Sequence, residues 1–244
     1  MKLILLGTGG YHPNNARHTT CLMLPELGLI FDAGTSFFRV PKLLQTENVQ
    51  IVLSHAHLDH ICGLTFFLPT LIQGDVSSAT IYSNDKTLNA VRQHLFSDDV
   101  FPILPDYKFE TISESLEVAQ GGRLTHNVQE HPGGSLGFRV DWPDRSFAYL
   151  TDTHCNGSSV EFVQGVDLLI HECNFPEGHE NFAKKTGHST PSPVAKMAKE
   201  AGVGRLILTH LDPTLEGDDP LNLSTIREIF PHTEVAIDLM EIEF

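Results

Sequence analysis

Ile51-Val52-Leu53-Ser54-His55-Ala56-His57-Leu58-Asp59-His60 is the stretch whose reading decides what this chain is. Its first four residues form a short apolar, β-branched run with the composition of a buried strand. The six that follow place three imidazoles and a carboxylate within one turn of backbone. They sit at the strand's C-terminal end, where α/β folds gather their chemistry. Imidazole and carboxylate together suit zinc, manganese or iron. Four such groups from one short loop exceed what a single tetrahedral ion takes, so the stretch points to two metals. The plain alternative is a polar turn that happens to be rich in histidine, and the spacing argues against it.

Size and composition frame that reading. A chain of 244 residues buries a sizeable core, and residues 1–244 read as one domain, without an internal repeat, low-complexity tract or linker. The hydrophobic fraction of 41% and charged fraction of 19% are those of a globular protein. No apolar run approaches the roughly 18 residues that span a bilayer, so no membrane partner is expected. Met1-Lys2-Leu3-Ile4-Leu5-Leu6 runs straight into Gly7-Thr8-Gly9-Gly10, a first strand and turn rather than a signal-peptide core, and a cytoplasmic location is the expectation. Cys21, Cys62, Cys155 and Cys173 lack C-x-x-C spacing and read as buried thiols.

The formal charge is −15, with no Lys or Arg from Leu43 to Asp85 or from Ser146 to Ala183. Polyanion binding relies on basic side chains neutralising phosphates, so this balance disfavours a long nucleic acid and favours a small substrate.

The rest of the chain alternates strands and helices. Gly7–Gly10 follows a strand, but no helix pattern follows it and Pro13 intervenes, so a phosphate-cradling loop is a weak reading. Thr19–Leu24 and Leu29–Asp32 flank the turn-rich Pro25-Glu26-Leu27-Gly28 as a hairpin. Phe37–Leu44 reads as a short helix. Further strands are expected at Ala79–Ser83, Leu136–Val140, Ser146–Thr151, Leu168–His171, Arg205–His210 and Glu234–Leu239. Helices fit Thr87–Phe96, Ser224–Phe230 and Pro193–Ala201, the last with Ser192 as N-cap and Gly202 as C-cap.

One loop cannot complete two coordination shells. Three residues elsewhere have matching settings: His131 before Pro132-Gly133-Gly134, Asp152 at the tip of Phe147–Thr151, and His210 at the tip of Leu206–Thr209. A polar group ending an apolar strand is costly to bury alone, and a metal offsets that cost. Each taken singly also reads as a solvated turn residue. With His55, His57, Asp59 and His60 they number seven, about what a dinuclear site needs.

The chain resembles the metallo-β-lactamase-fold hydrolases, whose hallmark is H-x-H-x-D-H after a strand. More narrowly it is similar to ribonuclease Z, the tRNA 3′-end endonuclease, and its phosphodiesterase relatives. The resemblance runs through Leu6–Gly10, Phe31-Asp32-Ala33-Gly34, the His55–His60 motif, His131 before Gly137-Phe138-Arg139 and Thr151-Asp152-Thr153. It continues through Leu169-Ile170-His171-Glu172, Gly187-His188-Ser189-Thr190 and Leu208-Thr209-His210. It implies an α/β (α+β) fold, a four-layer αβ/βα sandwich with helices outside two mixed sheets. It implies two divalent ions, zinc first, with manganese or iron also accommodated. His55, His57 and His131 would hold one ion and Asp59, His60 and His210 the other, with Asp152 bridging and Asp32 orienting the ligand loop. Asp59, His188 and Glu172 would be catalytic, His188 acting at the phosphate and leaving group with Glu172 behind it. A purely structural ion pair is the other reading of Glu172 and His188. Among the remaining histidines, His12, His18 and His154 are candidates to face substrate, and His94 and His232 read as surface residues. A homodimer is implied by the same relatives.

The chain also departs from that pattern. Ribonuclease Z usually carries a long tRNA-gripping arm between the residues matching His131 and Asp152. Here that interval reads as two strands joined by Asp141-Trp142-Pro143-Asp144. His210 is followed by the acidic Leu211-Asp212-Pro213, and the first loop has Ala16-Arg17-His18 where the family has Arg-Asn. The expectation is therefore a dinuclear phosphodiesterase acting on a small or cyclic phosphodiester or a short nucleotide. The alternative is tRNA 3′-processing, and a further one is hydrolysis of an ester, thioester or lactone on the same fold.

Overall fold

In the computed structural model, which describes residues 1–217 and 219–244, the chain divides into two units, Met1–Ala119 with Ile237–Phe244 and Gln120–Ala236. The first unit holds β1 (Lys2–Gly7), β2 (Cys21–Leu24), β3 (Leu29–Phe31), β4 (Asn48–Val52), β5 (Ser78–Ser83), β6 (Tyr107–Thr111) and β7 (Ser115–Val118). The second holds β8 (Gly122–Gln129), β9 (Ser135–Asp141), β10 (Ser146–Leu150), β11 (Leu168–Glu172), β12 (Arg205–Thr209) and β13 (Thr233–Val235). β14 (Met240–Glu243) returns to the first unit.

The first unit's sheet runs β14-β1-β2-β3-β4-β5-β6. β14, β1, β2 and β3 pair antiparallel, whereas β3 through β6 pair parallel. The β2–β3 hairpin turns through Pro25–Gly28, as its composition predicts. Gly28 has φ 63°, and a Cβ there would meet the Asn48 carbonyl oxygen at 2.3 Å, so only glycine fits. One face of the sheet, with Ile4, Met23, Ile30, Ile51 and Ile81, packs on Phe37, Val40, Leu64, Phe67 and Leu88 from the helical segments.

In the second unit the strands run in the order β13-β12-β11-β10-β9-β8, antiparallel from β8 to β10 and parallel from β10 to β13. Leu150, Leu169, Leu206 and Leu208 pack on Val194, Ala195 and Ala198 of the Pro191–Glu200 helix and on Ile226 of the Leu223–Ile229 helix. The parallel strands β10, β11 and β12 are almost wholly buried, which is why they read as unbroken apolar runs. Both units thus follow one plan, an antiparallel hairpin feeding parallel strands, and the mixed-sheet α/β class expected from the sequence holds. No helix among the described residues is long and apolar enough to cross a membrane.

Several local expectations need correction. The helix placed at Pro193–Ala201 begins at Pro191, with Thr190 rather than Ser192 in the extended cap position. Proline tolerates any site in a first turn, so two prolines two residues apart left the start ambiguous. Gly202 does take the left-handed conformation just past the helix end, with φ 65°. The strand read at Glu234–Leu239 stops at Val235, because Met240 N–H turns back to the Ile237 carbonyl and Leu239 has φ 65°. The helix expected over Thr87–Phe96 starts at Asp85, capped by Asn84 Oδ1 accepting from Thr87 N–H, and widens into a π turn at Val91–Leu95. Phe37–Leu44 is a 3₁₀ turn, Thr35–Arg39, continued by a helical turn, Val40–Leu43. The sequence reading missed β6, β7, β8 and β14, whose exposed or half-buried positions dilute any apolar signal.

Candidate metal centre

In the first unit the proposed ligands are arranged by a buried acid. Asp32 follows β3 with φ 57°, and its side chain is fully buried. Its Oδ1 accepts from the Ser54 N–H at 2.7 Å and the Ser54 hydroxyl at 2.9 Å; its Oδ2 accepts from His60 Nδ1 at 2.9 Å. A carboxylate at neutral pH only accepts, so the His60 proton sits on Nδ1 and Nε2 carries the lone pair. That Nε2 lies 3.4 Å from Asp59 Oδ2, which also accepts the Tyr11 N–H at 2.8 Å. Two electron-rich atoms facing one another at this distance suit an intervening cation. His55 is buried and its ring lies 4.4 Å from that of His57 and 4.3 Å from that of His60; His57 is exposed at the start of the short Leu58–Ile61 helix. The close approach of Asp32-Ala33-Gly34 to this loop requires glycine, since a Cβ on Gly34 would meet the Asp59 carbonyl oxygen at 2.2 Å.

The second unit repeats the device. Asp152 and His210 follow β10 and β12 with φ of 44° and 57°. Positive φ in residues other than glycine is uncommon and gathers at functional sites. Asp152 directs Oδ1 at His210 Nε2, 3.1 Å away, and Oδ2 at His131 Nε2, 3.5 Å away. His131 donates through Nδ1 to the Gly187 carbonyl at 3.0 Å, which again leaves the lone pair on the nitrogen facing the carboxylate. Ligand atoms of Asp152, His188 and His210 all lie within 4.8 Å of one another. Imidazoles whose outer N–H is held by a carbonyl or carboxylate, and whose inner nitrogen faces an acid, are a donor set that fits a divalent cation.

Behind His188 stands Glu172, fully buried at the end of β11. Its Oε1 accepts from His188 Nδ1 at 3.0 Å and from the Thr153 N–H at 3.0 Å; its Oε2 accepts the Asn174 N–H at 2.9 Å. Three donors offset the cost of burying that charge. The His188 ring stacks on His210 at 5.6 Å and 22°.

Sequence reasoning missed the residues that hold these groups. Ser54 bridges Asp32 and lies 3.0 Å from His55 Nδ1. Asn174 donates through Nδ2 to the His210 carbonyl at 3.0 Å. Ser189 donates its hydroxyl to the Thr153 carbonyl at 2.6 Å and accepts the Cys155 N–H at 2.9 Å. Their only sequence signal is adjacency to a candidate residue. Among the other histidines, His154 pairs through Nδ1 with the His188 carbonyl at 3.1 Å, and His18 with the Thr35 hydroxyl at 3.3 Å. His171 is buried, donates through Nδ1 to the Glu172 carbonyl, and has its pKa lowered by desolvation. His94 and His232 are exposed, as expected. The four cysteines are free thiols, and Cys21, Cys155 and Cys173 are buried. Burial pushes the Cys155 thiol up to about 12.

A family model described as a Beta-lactamase superfamily domain matches residues 29–211. Among curated proteins, Ribonuclease Z of Geobacillus kaustophilus (strain HTA426) is 28% identical over 298 residues, covering 98% of this chain and 97% of that protein. Ribonuclease Z of Synechococcus sp. (strain CC9605) is 27% identical over 311 residues, covering 100% and 98%. Among solved structures, the metallo-beta-lactamase fold protein YhfI from Bacillus subtilis superposes with a TM-score of 0.84 at 22% identity over 99% of each chain. The short form of human tRNase Z gives 0.76 at 23% identity, over 100% of this chain and 99% of that one. A diphosphatase of the PhnP family gives 0.75 at 20% identity, over 100% and 97%.

Proposed function

This chain belongs to the β-lactamase superfamily and is a metal-dependent hydrolase of the metallo-β-lactamase fold, and from that premise we propose that it cleaves small phosphodiesters, cyclic or nucleotide-sized. In this reading His55, His57 and His131 would hold one divalent ion, Asp59, His60 and His210 would hold a second, and Asp152 would serve both. Zinc is the first choice, and manganese or iron match the same donors. When bound, such ions lower the pKa of water and stabilise charge on phosphoryl oxygens. Asp32 holds His60 in the required tautomer, and Asp59 accepts a proton from the attacking water. His188, with Nδ1 engaged by Glu172, presents its other nitrogen to the phosphate and then to the leaving oxygen.

The observation that carries this reading is the half-buried His188 held by the buried Glu172 and set against Asp152 and His210. A carboxylate behind an imidazole favours its cationic form, which suits a phosphate better than a neutral ester. The size of the substrate follows from what surrounds the pair. β9 and β10 are joined by a tight turn in which Trp142 N–H meets the Arg145 carbonyl at 2.8 Å, so among the described residues no arm lies between His131 and Asp152. Alignment with the Synechococcus protein spans 311 positions for a chain of 244 residues, so that relative carries chain this protein lacks. The net charge of −15 opposes a polyanion.

The second reading, tRNA 3′-end processing, has one observation in its favour: full-length likeness, at 27–28% identity, to proteins named Ribonuclease Z. Ester, thioester or lactone hydrolysis has the fold alone. Metal-replete protein assayed on bis(p-nitrophenyl) phosphate, a 2′,3′-cyclic nucleotide, a cyclic sugar phosphate and a precursor tRNA separates them. Turnover of the small diesters with little cleavage of tRNA is expected. Efficient tRNA cleavage would reverse the order of the first two readings, and hydrolysis confined to carboxylic esters would discard both.

A further inference from the structure

Tyr11 has no part in the chemistry above, yet its placement is tightly specified. It follows Gly7-Thr8-Gly9-Gly10 and has φ 61° without being glycine. Such a conformation persists where surrounding contacts over-determine it. One contact is its N–H, donated to Asp59 Oδ2 at 2.8 Å. The main chain of Tyr11 is thus tied to an acid of the candidate centre, while the residue as a whole is 79% exposed. The His12 ring meets it edge-on, with centroids 5.2 Å apart and planes at 62°. His12 is itself held by Nδ1 donating to the Pro13 carbonyl at 3.0 Å.

The loop behind Tyr11 is braced by an acid from the other end of the chain. Asp238 Oδ1 accepts from the Thr8 N–H at 3.0 Å and the Thr8 hydroxyl at 2.8 Å. Its Oδ2 accepts from the His18 N–H at 2.9 Å and from Arg39 Nη1 at 2.7 Å. Arg17 Nη1 donates to Thr8 Oγ1 at 2.6 Å, and the Gly9 N–H donates to the His18 carbonyl at 2.9 Å. A lone exposed aromatic is ordinary and needs no explanation. One on a braced loop, with its own backbone N–H bonded to Asp59, is anchored next to a candidate ligand and offers an exposed ring at small ordering cost.

We propose that Tyr11, backed by His12, is a stacking platform that makes the enzyme prefer phosphodiesters carrying a flat nucleobase over those without one. The proposal rests on the phosphodiesterase reading for the identity of its substrate and extends it to substrate choice. Every base has a π-face, so the platform separates base from no base rather than one base from another. Tyr11 is a specificity residue and supplies no proton. Removing a stacking side chain of this kind lowers affinity for a base-bearing ligand on the order of tenfold or more.

The test is equilibrium binding of AMP and of ribose 5-phosphate to metal-replete wild-type, Tyr11→Phe and Tyr11→Ala proteins, with circular dichroism confirming the fold. Tyr11→Ala keeps the N–H to Asp59 and the same left-handed backbone. Wild type is expected to bind AMP on the order of tenfold more tightly than ribose 5-phosphate, and Tyr11→Phe to preserve that ratio. Tyr11→Ala should bring the ratio close to one by weakening AMP alone. Absence of an AMP preference in wild type, or its survival in Tyr11→Ala, overturns the proposal. Equal loss of both ligands also overturns it and makes Tyr11 a holder of Asp59. Turnover of a 2′,3′-cyclic nucleotide beside a base-free cyclic phosphate reads the phosphodiesterase assignment separately. An inert wild type that still prefers AMP would sink that assignment and leave the platform standing.

Discussion

Glu172 Oε1 accepts hydrogen bonds from His188 Nδ1 and from the Thr153 N–H, each at 3.0 Å, so one buried oxygen orients both the imidazole and the backbone leading away from Asp152. The imidazole is thereby held in one tautomer, and the chain after the acid is held in place.

The two functions of Glu172 separate by substitution. His188→Ala should lower kcat by about 10²–10⁴, the usual contribution of a positioned acid or base, with metal content retained. Glu172→Gln keeps the shape and one acceptor but loses the charge behind His188, and should lower kcat less. Elemental analysis beside steady-state kinetics checks both. Loss of metal in His188→Ala would make His188 a ligand rather than an acid.

Asp32 is a buried carboxylate with three donors, so its loss acts on stability and on metal affinity together. Asp32→Ala should destabilise the protein by about 1–3 kcal/mol, because Ser54 and His60 are left with unsatisfied groups. It should also weaken metal binding about 10–100-fold, the usual cost of losing a group that orients a ligand. Thermal denaturation of metal-stripped protein and competition with a chelator read the two effects independently.

Asn174 offers a milder version of the same experiment. Its side chain holds the His210 carbonyl, and its backbone N–H holds Glu172 Oε2. Asn174→Ala removes only the first contact. Metal affinity should fall, with His188-dependent kcat per bound metal largely kept. A kcat loss with normal metal affinity would show that the contact serves the chemistry instead.

His171 sets a pH limit on the second unit. Desolvation lowers its folded-state pKa below the ordinary value of 6.5, so the unfolded chain takes up a proton that the folded chain resists. Stability from this residue is complete well above pH 6.5. It is lost as the pH falls through that value toward the depressed folded pKa. Denaturant midpoints of metal-stripped protein should therefore drop between pH 7.5 and about pH 5, and the slope should be shallower in His171→Asn, which cannot titrate. An unchanged slope would assign the acid sensitivity to other groups.

Much of the candidate site was legible because its signals are local. Ile51–His60 joins strand and ligand loop within ten consecutive residues, and Asp152 and His210 end apolar runs that announce buried parallel strands. The hairpin at Pro25–Gly28 was readable for the same reason, since its turn residues are contiguous. Where two local signals competed, as with the prolines at 191 and 193, the reading slipped by two residues. Polar strands such as β6 and β8 are not legible in the sequence, because their pairing partners rather than their own composition make them strands.

By itself the sequence determined which donors exist, that apolar runs end at several of them, and that the net charge is −15. Only the tertiary structure decided which nitrogen of each histidine faces inward, because that depends on partners distant in the chain: Asp32 for His60, Gly187 for His131 and Glu172 for His188. It likewise decided the contacts of Ser54, Asn174 and Tyr11, whose residue types are unremarkable in sequence. Periodicity and spacing report what a segment can do alone. A hydrogen bond across tens of residues is settled by packing, which brings its two ends together and excludes the water that would otherwise compete for them.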